Sequence, residues 1–177
     1  MLRLLLILAA AVMLTGCPSD NRESLFEITY EPLNFVFPAG LPSFQTFVVS
    51  RAVVESRFDA ALTDNNVNRD QVDEIGGLFA RLTALSGEDF SQLRRVDLRI
   101  CPTNQTTGCT EFDVLFSADD LFGRRQQTIR MNPSLRNFTE LVESGQFRFE
   151  LVISPGETTN SNIDCRLEWG IRAVGVE

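Results

Sequence analysis

The chain has 177 residues, with 24 acidic against 16 basic side chains and a formal net charge of −8, a balance that argues against nucleic acid and anionic lipid surfaces as partners. It contains no His, and all of its basic residues are Arg. Ser-His-Asp and Cys-His nucleophiles, His-containing zinc or copper sites, Schiff-base chemistry and a Walker-type phosphate lysine are therefore absent. Carboxylate-only catalysis survives that test, but no Asp-Thr-Gly or Asp-Ser-Gly segment occurs and the acids fall mostly at solvent-face positions. The composition points to a non-enzymatic protein that needs no cofactor.

At the N-terminus, Arg3 precedes the apolar run Leu4 to Met13 and the segment Leu14-Thr15-Gly16-Cys17. A positive start, an apolar stretch of about ten residues and a small-residue cleavage site make a secretory signal, too short to span a bilayer permanently. Leu14 to Cys17 resembles a lipobox, and in this respect the chain is similar to bacterial lipoproteins. The resemblance implies that Cys17 is acylated and that the chain is cut before it. Two or three acyl chains, at about 0.8 kcal/mol per methylene, then hold the protein in a lipid bilayer. It also implies the cell envelope, and more specifically the outer membrane, because Pro18 stands where Asp retains many such lipoproteins at the inner membrane. Residues 1–16 are read as signal peptide, 17–24 as lipidated tether and 25–177 as one domain. The cleaved chain loses one Arg and no acid, for a charge of about −9. Pro18 to Ser24, fully extended, reaches no more than roughly 30 Å, so the domain sits close to its membrane.

Leu25 to Tyr30 alternates, with Phe26, Ile28 and Tyr30 on one face, and predicts the first strand. Pro32, Pro38 and Pro42 confine Asn34 to Pro38 to an edge or a loop. Thr46 to Ser56 reads as a long strand. Asp59 to Asp73 is polar and acidic and carries Asp64-x-Asn66-x-Asn68-x-Asp70, alternating oxygens of the kind calcium takes. Arg69 stands where an EF-hand loop turns on glycine, and Ile75 where it closes on glutamate. This segment is expected to be a solvated loop without specific calcium binding.

Leu78 to Leu85 alternates again, and Ser86 to Leu93 reads as a turn with one helical turn held down by Phe90 and Leu93. In the strand Arg95 to Cys101, Val96, Leu98 and Ile100 are inward, and Asp97 and Arg99 outward. Cys101 and Cys109 bracket the polar segment Pro102 to Gly108, which fits a local disulfide worth about 2–3 kcal/mol in the chain-entropy account. Cys165 is left over on an apolar register with Ile163 and Leu167. It is read as a buried free thiol, pairing with Cys101 or Cys109 being the alternative. Further strands are expected at Glu111 to Ser117, with Phe112, Val114 and Phe116 inward, and at Arg125 to Met131. Leu135, Phe138, Leu141 and Val142 recur at helical spacing over Ser134 to Ser144, with Gly145 as the stop. Gln146 to Ser154 places Phe147, Phe149, Leu151 and Ile153 inward. Ile163 to Val174 does the same with Ile163, Cys165, Leu167, Trp169, Ile171 and Ala173.

These elements predict an all-β fold, an antiparallel β-sandwich of about seven or eight strands with one short crossover helix. The run Leu82 to Ile100 resembles a segment of small bacterial lipoproteins thought to be β-sandwiches, a group with no activity to transfer; the resemblance bears on fold alone. Phe outnumbers Tyr and Trp fourteen to one each, and Tyr30 and Trp169 both lie on apolar registers, so no ready sugar-stacking platform is visible. The expected function is that of an envelope-anchored lipoprotein, a non-enzymatic interaction or structural domain held to the bilayer by Cys17 and contacting an envelope protein. The alternative is a ligand-binding sandwich, carbohydrate-specific or calcium-dependent.

Overall fold

Period-two alternation governs residues 22–176, the part of the chain that the computed structural model describes, and it produces nine strands. They are β1 (Arg22–Thr29), β2 (Leu33–Phe37), β3 (Phe47–Glu55), β4 (Glu74–Ala84), β5 (Leu93–Cys101), β6 (Val114–Ala118), β7 (Thr128–Pro133), β8 (Gln146–Pro155) and β9 (Ile163–Val176). Two short helices join them, α1 (Phe58–Asn65) and α2 (Thr139–Glu143). All strand pairs are antiparallel, in the order β1-β9-β4-β7-β6-β5-β8-β3. β2 continues the line of β1 along the same edge of β9, pairing with Ile163 to Leu167 while β1 takes Gly170 to Val176. The chain leaves this edge at Glu31 and Pro32, and proline has no N–H to give the ladder.

The sheet curls. β6 and β7 share only the pairs Phe116 with Pro133 and Ser117 with Asn132, and this narrow corner folds the sheet into two layers. The first layer holds β1, β2, β9, β4 and β7; the second holds β6, β5, β8 and β3. The result is an all-β, sandwich-like antiparallel fold. Leu82, Leu167 and Ile171 from the first layer meet Leu98, Ile100, Phe147 and Leu151 from the second, all fully buried. Each such side chain stabilises by about 1.5–3 kcal/mol relative to exposure. Phe47 of β3 packs on Phe35 and Phe37 of β2, with ring centroids 6.2 and 5.6 Å apart, joining the layers where their edges face each other.

The inward registers expected for β5, β8 and β9 are all buried, Trp169 and Cys165 included. Several expectations fail for identifiable reasons. The segment read as a loop after Asp59 contains α1. One anchor suffices for it: Phe58 is buried against Phe26, centroids 6.0 Å apart, while Thr63 and Asn65 bond back to the carbonyls of Asp59 and Ala61. The helix expected over Ser134 to Ser144 shrinks to Thr139–Glu143 because the preceding residues are tied to strands. The amide of Ser134 donates to Leu115, and that of Phe138 to Ile75. Leu135 is consequently 100% exposed. Phe112, expected inward, is 77% exposed, since a 3-10 turn at Glu111–Asp113 capped by Thr110 rotates it out before β6 begins. Asp97 lies on the outward register, yet only 3% of it is exposed. The segment Ser86 to Leu93 forms a turn without a helix, and β7 starts at Thr128. No helix among the described residues is long and apolar enough to cross a membrane.

Candidate functional site

Antiparallel topology sorts the connections to two ends. Loops 38–46, 85–92, 119–127 and 156–162 share one end; the start of β1, α1, α2 and the 102–113 loop share the other. The four-loop end is cross-braced. Gln92, a buried amide, exchanges two hydrogen bonds with Asn160, at 2.6 and 2.8 Å, and its carbonyl accepts from the amide of Gly156. The buried Thr159 hydroxyl donates to the carbonyl of Pro38 and accepts from the amide of Leu41, both at 2.8 Å. Asn162 accepts from the amide of Ala39. On the other side, Gly123 donates to Ser91 and Phe90 to Gln126. Each loop is thus fixed to a neighbour, and fixed loops lower the ordering cost of binding. From this frame project Phe44, 90% exposed, and Phe122, 53% exposed. Phe122 lies over Gly156, where a Cβ would run into its ring and push it aside. Asp89 is held below the usual carboxylate range by hydrogen bonds from the hydroxyl and amide of Ser91.

A second feature is a cleft of about 510 Å³ on the open side of the sandwich. Both edge strands break off there. β1 and β2 are interrupted at Tyr30 to Pro32, and β3 bulges between Arg51 and Val54. The floor is a buried stack: Tyr30 on Trp169 at 4.0 Å and 12°, and Trp169 on Phe149 at 5.5 Å. Glu31, Arg51, Glu55 and Arg57 form the rim. The Tyr30 hydroxyl donates to the carbonyl of Ser56 at 3.1 Å. Burial raises its pKa, against the opposing charge of Arg57, so the phenol stays protonated and supplies no base. With its ring faces spent on one another, the floor offers a sugar little to stack on.

The disulfide forms between Cys101 and Cys109, Cα atoms 5.4 Å apart, and Cys165 is free and buried. Burial pushes the Cys165 thiol up to about 12, a protonated and unreactive state at neutral pH. The disulfide closes a loop that lies against Arg148 and Glu150 on the outer face of the second layer, beside a row of charges. Asp97 accepts from Arg95 and Arg99, at 2.8 and 3.0 Å. Glu150, 8% exposed, accepts from the amide of Cys109 at 3.1 Å and lies 3.5 Å from Arg148. The Nε atoms of Arg99 and Arg148 are buried without a hydrogen-bond partner among the described residues. At the end of the loop, burial would raise Asp113, but the amide and hydroxyl of Thr110 together with Arg136 outweigh it and hold the carboxyl low.

The four residues with calcium-like spacing fall on three separate local structures. Asp64 is in α1, Asn66 ends that helix in the left-handed region at φ 55°, and Asn68 and Asp70 belong to the next turn. There the amide of Asn68 is occupied by Gln71 at 2.7 Å. Among the described residues no group of three or more Cys, Asp or Glu is placed to hold a metal ion. Cys17 and the lipobox lie outside the described residues. Phe44 and Phe122 escaped the sequence reading; the available signal was a Phe in each of two Gly- and Pro- or Asp-bounded segments without alternation. No protein-family model matches the sequence, and comparison with curated proteins and with solved structures likewise finds no match.

Proposed function

We propose that this chain is a lipoprotein of the cell envelope, anchored at the outer membrane through acylated Cys17, whose sandwich is a non-catalytic binding module. One observation carries the reading. Cys17 precedes Arg22, the first residue of β1, by five positions, and five residues span at most about 18 Å. Such an anchor holds the β1-start end of the sandwich against the bilayer and turns the braced loops away from it. Phe112 and Leu135, exposed at the β1-start end, then face lipid. Phe44 and Phe122, displayed on fixed loops at the far end, face an envelope protein partner, as aromatic anchors at interfaces do.

Palmitate labelling tests the anchor: the wild type takes up label and fractionates with the envelope, and Cys17→Ser does neither. Label persisting in Cys17→Ser sinks the reading. Photo-crosslinkers placed in the anchored protein test the orientation. Position 44 is expected to give adducts with protein and position 112 adducts with lipid; the reverse pattern inverts the assignment of ends.

A further inference from the structure

The outer face of the first layer carries a cluster that anchoring and the loop end do not use. Outward positions on β9, β4 and β7 fall in two adjacent rows, Glu168, Arg81 and Arg130 in one, and Arg166, Thr83 and Thr128 in the next. Arg81 and Arg130 stand directly opposite each other, a like-charge pair that costs stability in a sheet. Glu168 neutralises Arg81 at 2.9 Å. Among the described residues, Arg166 has only the amide oxygen of Asn34, at 3.2 Å, and Arg130 has no hydrogen bond or ion pair. Two other outward arginines are matched, Arg172 by Glu27 and Arg99 by Asp97. In a chain with eight more acids than bases, three guanidiniums gathered around one carboxylate stand out from the general field. Over them lies a shallow hollow of about 790 Å³, also lined by Gln126 and Leu85.

We propose that this hollow binds a carboxylate-bearing polysaccharide, its carboxylates on Arg130 and Arg166 and its hydroxyls on Thr83, Thr128 and Gln126. Planar guanidinium forks match carboxylates in pairs of parallel hydrogen bonds. The centre of the hollow is a threonine pair, so it lacks the apolar core that a protein interface buries. Spaced carboxylates on a flexible glycan engage neighbouring arginines at once, against the long-range repulsion that a net charge of −8 exerts on any polyanion. The inference goes beyond the proposed function and is independent of Cys17.

Polygalacturonate is the probe, with neutral dextran and polyglutamate as comparators, titrated into the purified full-length protein. Polygalacturonate is expected to bind with an affinity that falls as salt rises, and dextran not to bind. Arg130→Glu/Arg166→Glu and the milder Arg130→Gln/Arg166→Gln both weaken binding, the former by about tenfold or more. Arg172→Glu on the same face, where the native arginine is already paired, changes it by less than about threefold. Cys17→Ser binds as the wild type does, so a failed anchor and a failed glycan site give different results. Absent polygalacturonate binding, equal binding of dextran, indifference to both double variants, or tighter binding of polyglutamate would each overturn the proposal, the last by assigning the face to an acidic protein.

Discussion

The outer faces of the two layers are built from the same residue types on the same period, and they end in different states. On the second layer a loop closed by Cys101 and Cys109 lies against Glu150, and the charges of this face are drawn into pairs, Asp97 with Arg99 and Arg148 with Glu150. Gly108, at φ 83°, lets the loop come this close, since a Cβ there would stand 2.8 Å from a Glu150 oxygen. On the first layer nothing among the described residues covers Arg81, Arg130 and Arg166, and two of the three have no acidic partner there. An outward register therefore sets the direction of a side chain and leaves its solvation to whatever lies above. Covered charges must pair, because an unpaired one loses its hydration without compensation; open charges need not.

The sharpest tests of this contrast start from the core that both faces share. Trp169→Ala is expected to cost about 3–5 kcal/mol in denaturant melts, against under about 1 kcal/mol for the exposed Arg166→Ala. Equal midpoints would invert the inner and outer assignments of β9. On the covered face, Glu150→Ala strands Arg148 and the amide of Cys109, and about 2–3 kcal/mol should be lost, with Glu150→Gln recovering part of it. Replacing both Cys101 and Cys109 by Ser should cost about 2–3 kcal/mol and speed amide exchange in β5 and β8 while leaving β4 and β7 unchanged. If exchange rises equally in both layers, the loop is no local cover.

Acid provides a milder probe. Asp113 sits at the end of the covering loop with its folded-state pKa held below the ordinary 3.8. A depressed carboxylate contributes stability that is present above the unfolded value and lost as pH falls through the folded one. Stability should therefore decline below about pH 4, and Asp113→Asn should flatten that limb; an identical acid limb in the variant would remove Asp113 from the account. The smallest effect belongs to the open face. Arg130→Ala should change stability by no more than about 0.5 kcal/mol, toward stabilisation if relief of the Arg81 repulsion dominates. A loss above about 1 kcal/mol would mean that Arg130 is structurally committed, and the contrast between faces would fail.

Alternation made the inward sets of β5, β8 and β9 readable residue by residue, because a buried face imposes its period on the sequence. The disulfide and the free Cys165 were readable as well, from the separation of Cys101 and Cys109 and the register of Cys165. What escaped was decided by bonds between distant residues. Leu135 looks helical until the amide of Ser134 is seen to be claimed by Leu115, and Phe112 looks inward until Thr110 turns the chain. Asp97 shows the limit most clearly: its register is outward, yet it is buried and paired with Arg95 and Arg99, its neighbours two residues away on β5. The cleft and the braced loop end were likewise out of reach, each being assembled from segments more than a hundred residues apart, as Thr159 with Pro38 and Trp169 with Tyr30 illustrate.

The paired interruption of the two edge strands has a bearing on crowding. Copies anchored in one membrane, as proposed, would be confined to a plane and meet side by side at high local concentration, the setting in which free strand edges zip together into polymers. Pro32 breaks one edge and the bulge after Arg51 breaks the other at the same height, so no uninterrupted ladder runs the length of either side. The gap that opens the cleft is also a safeguard. Replacing Pro32 with a strand-forming residue and deleting the bulge would smooth both margins, and a densely populated bilayer would then seed fibres from an otherwise unchanged fold.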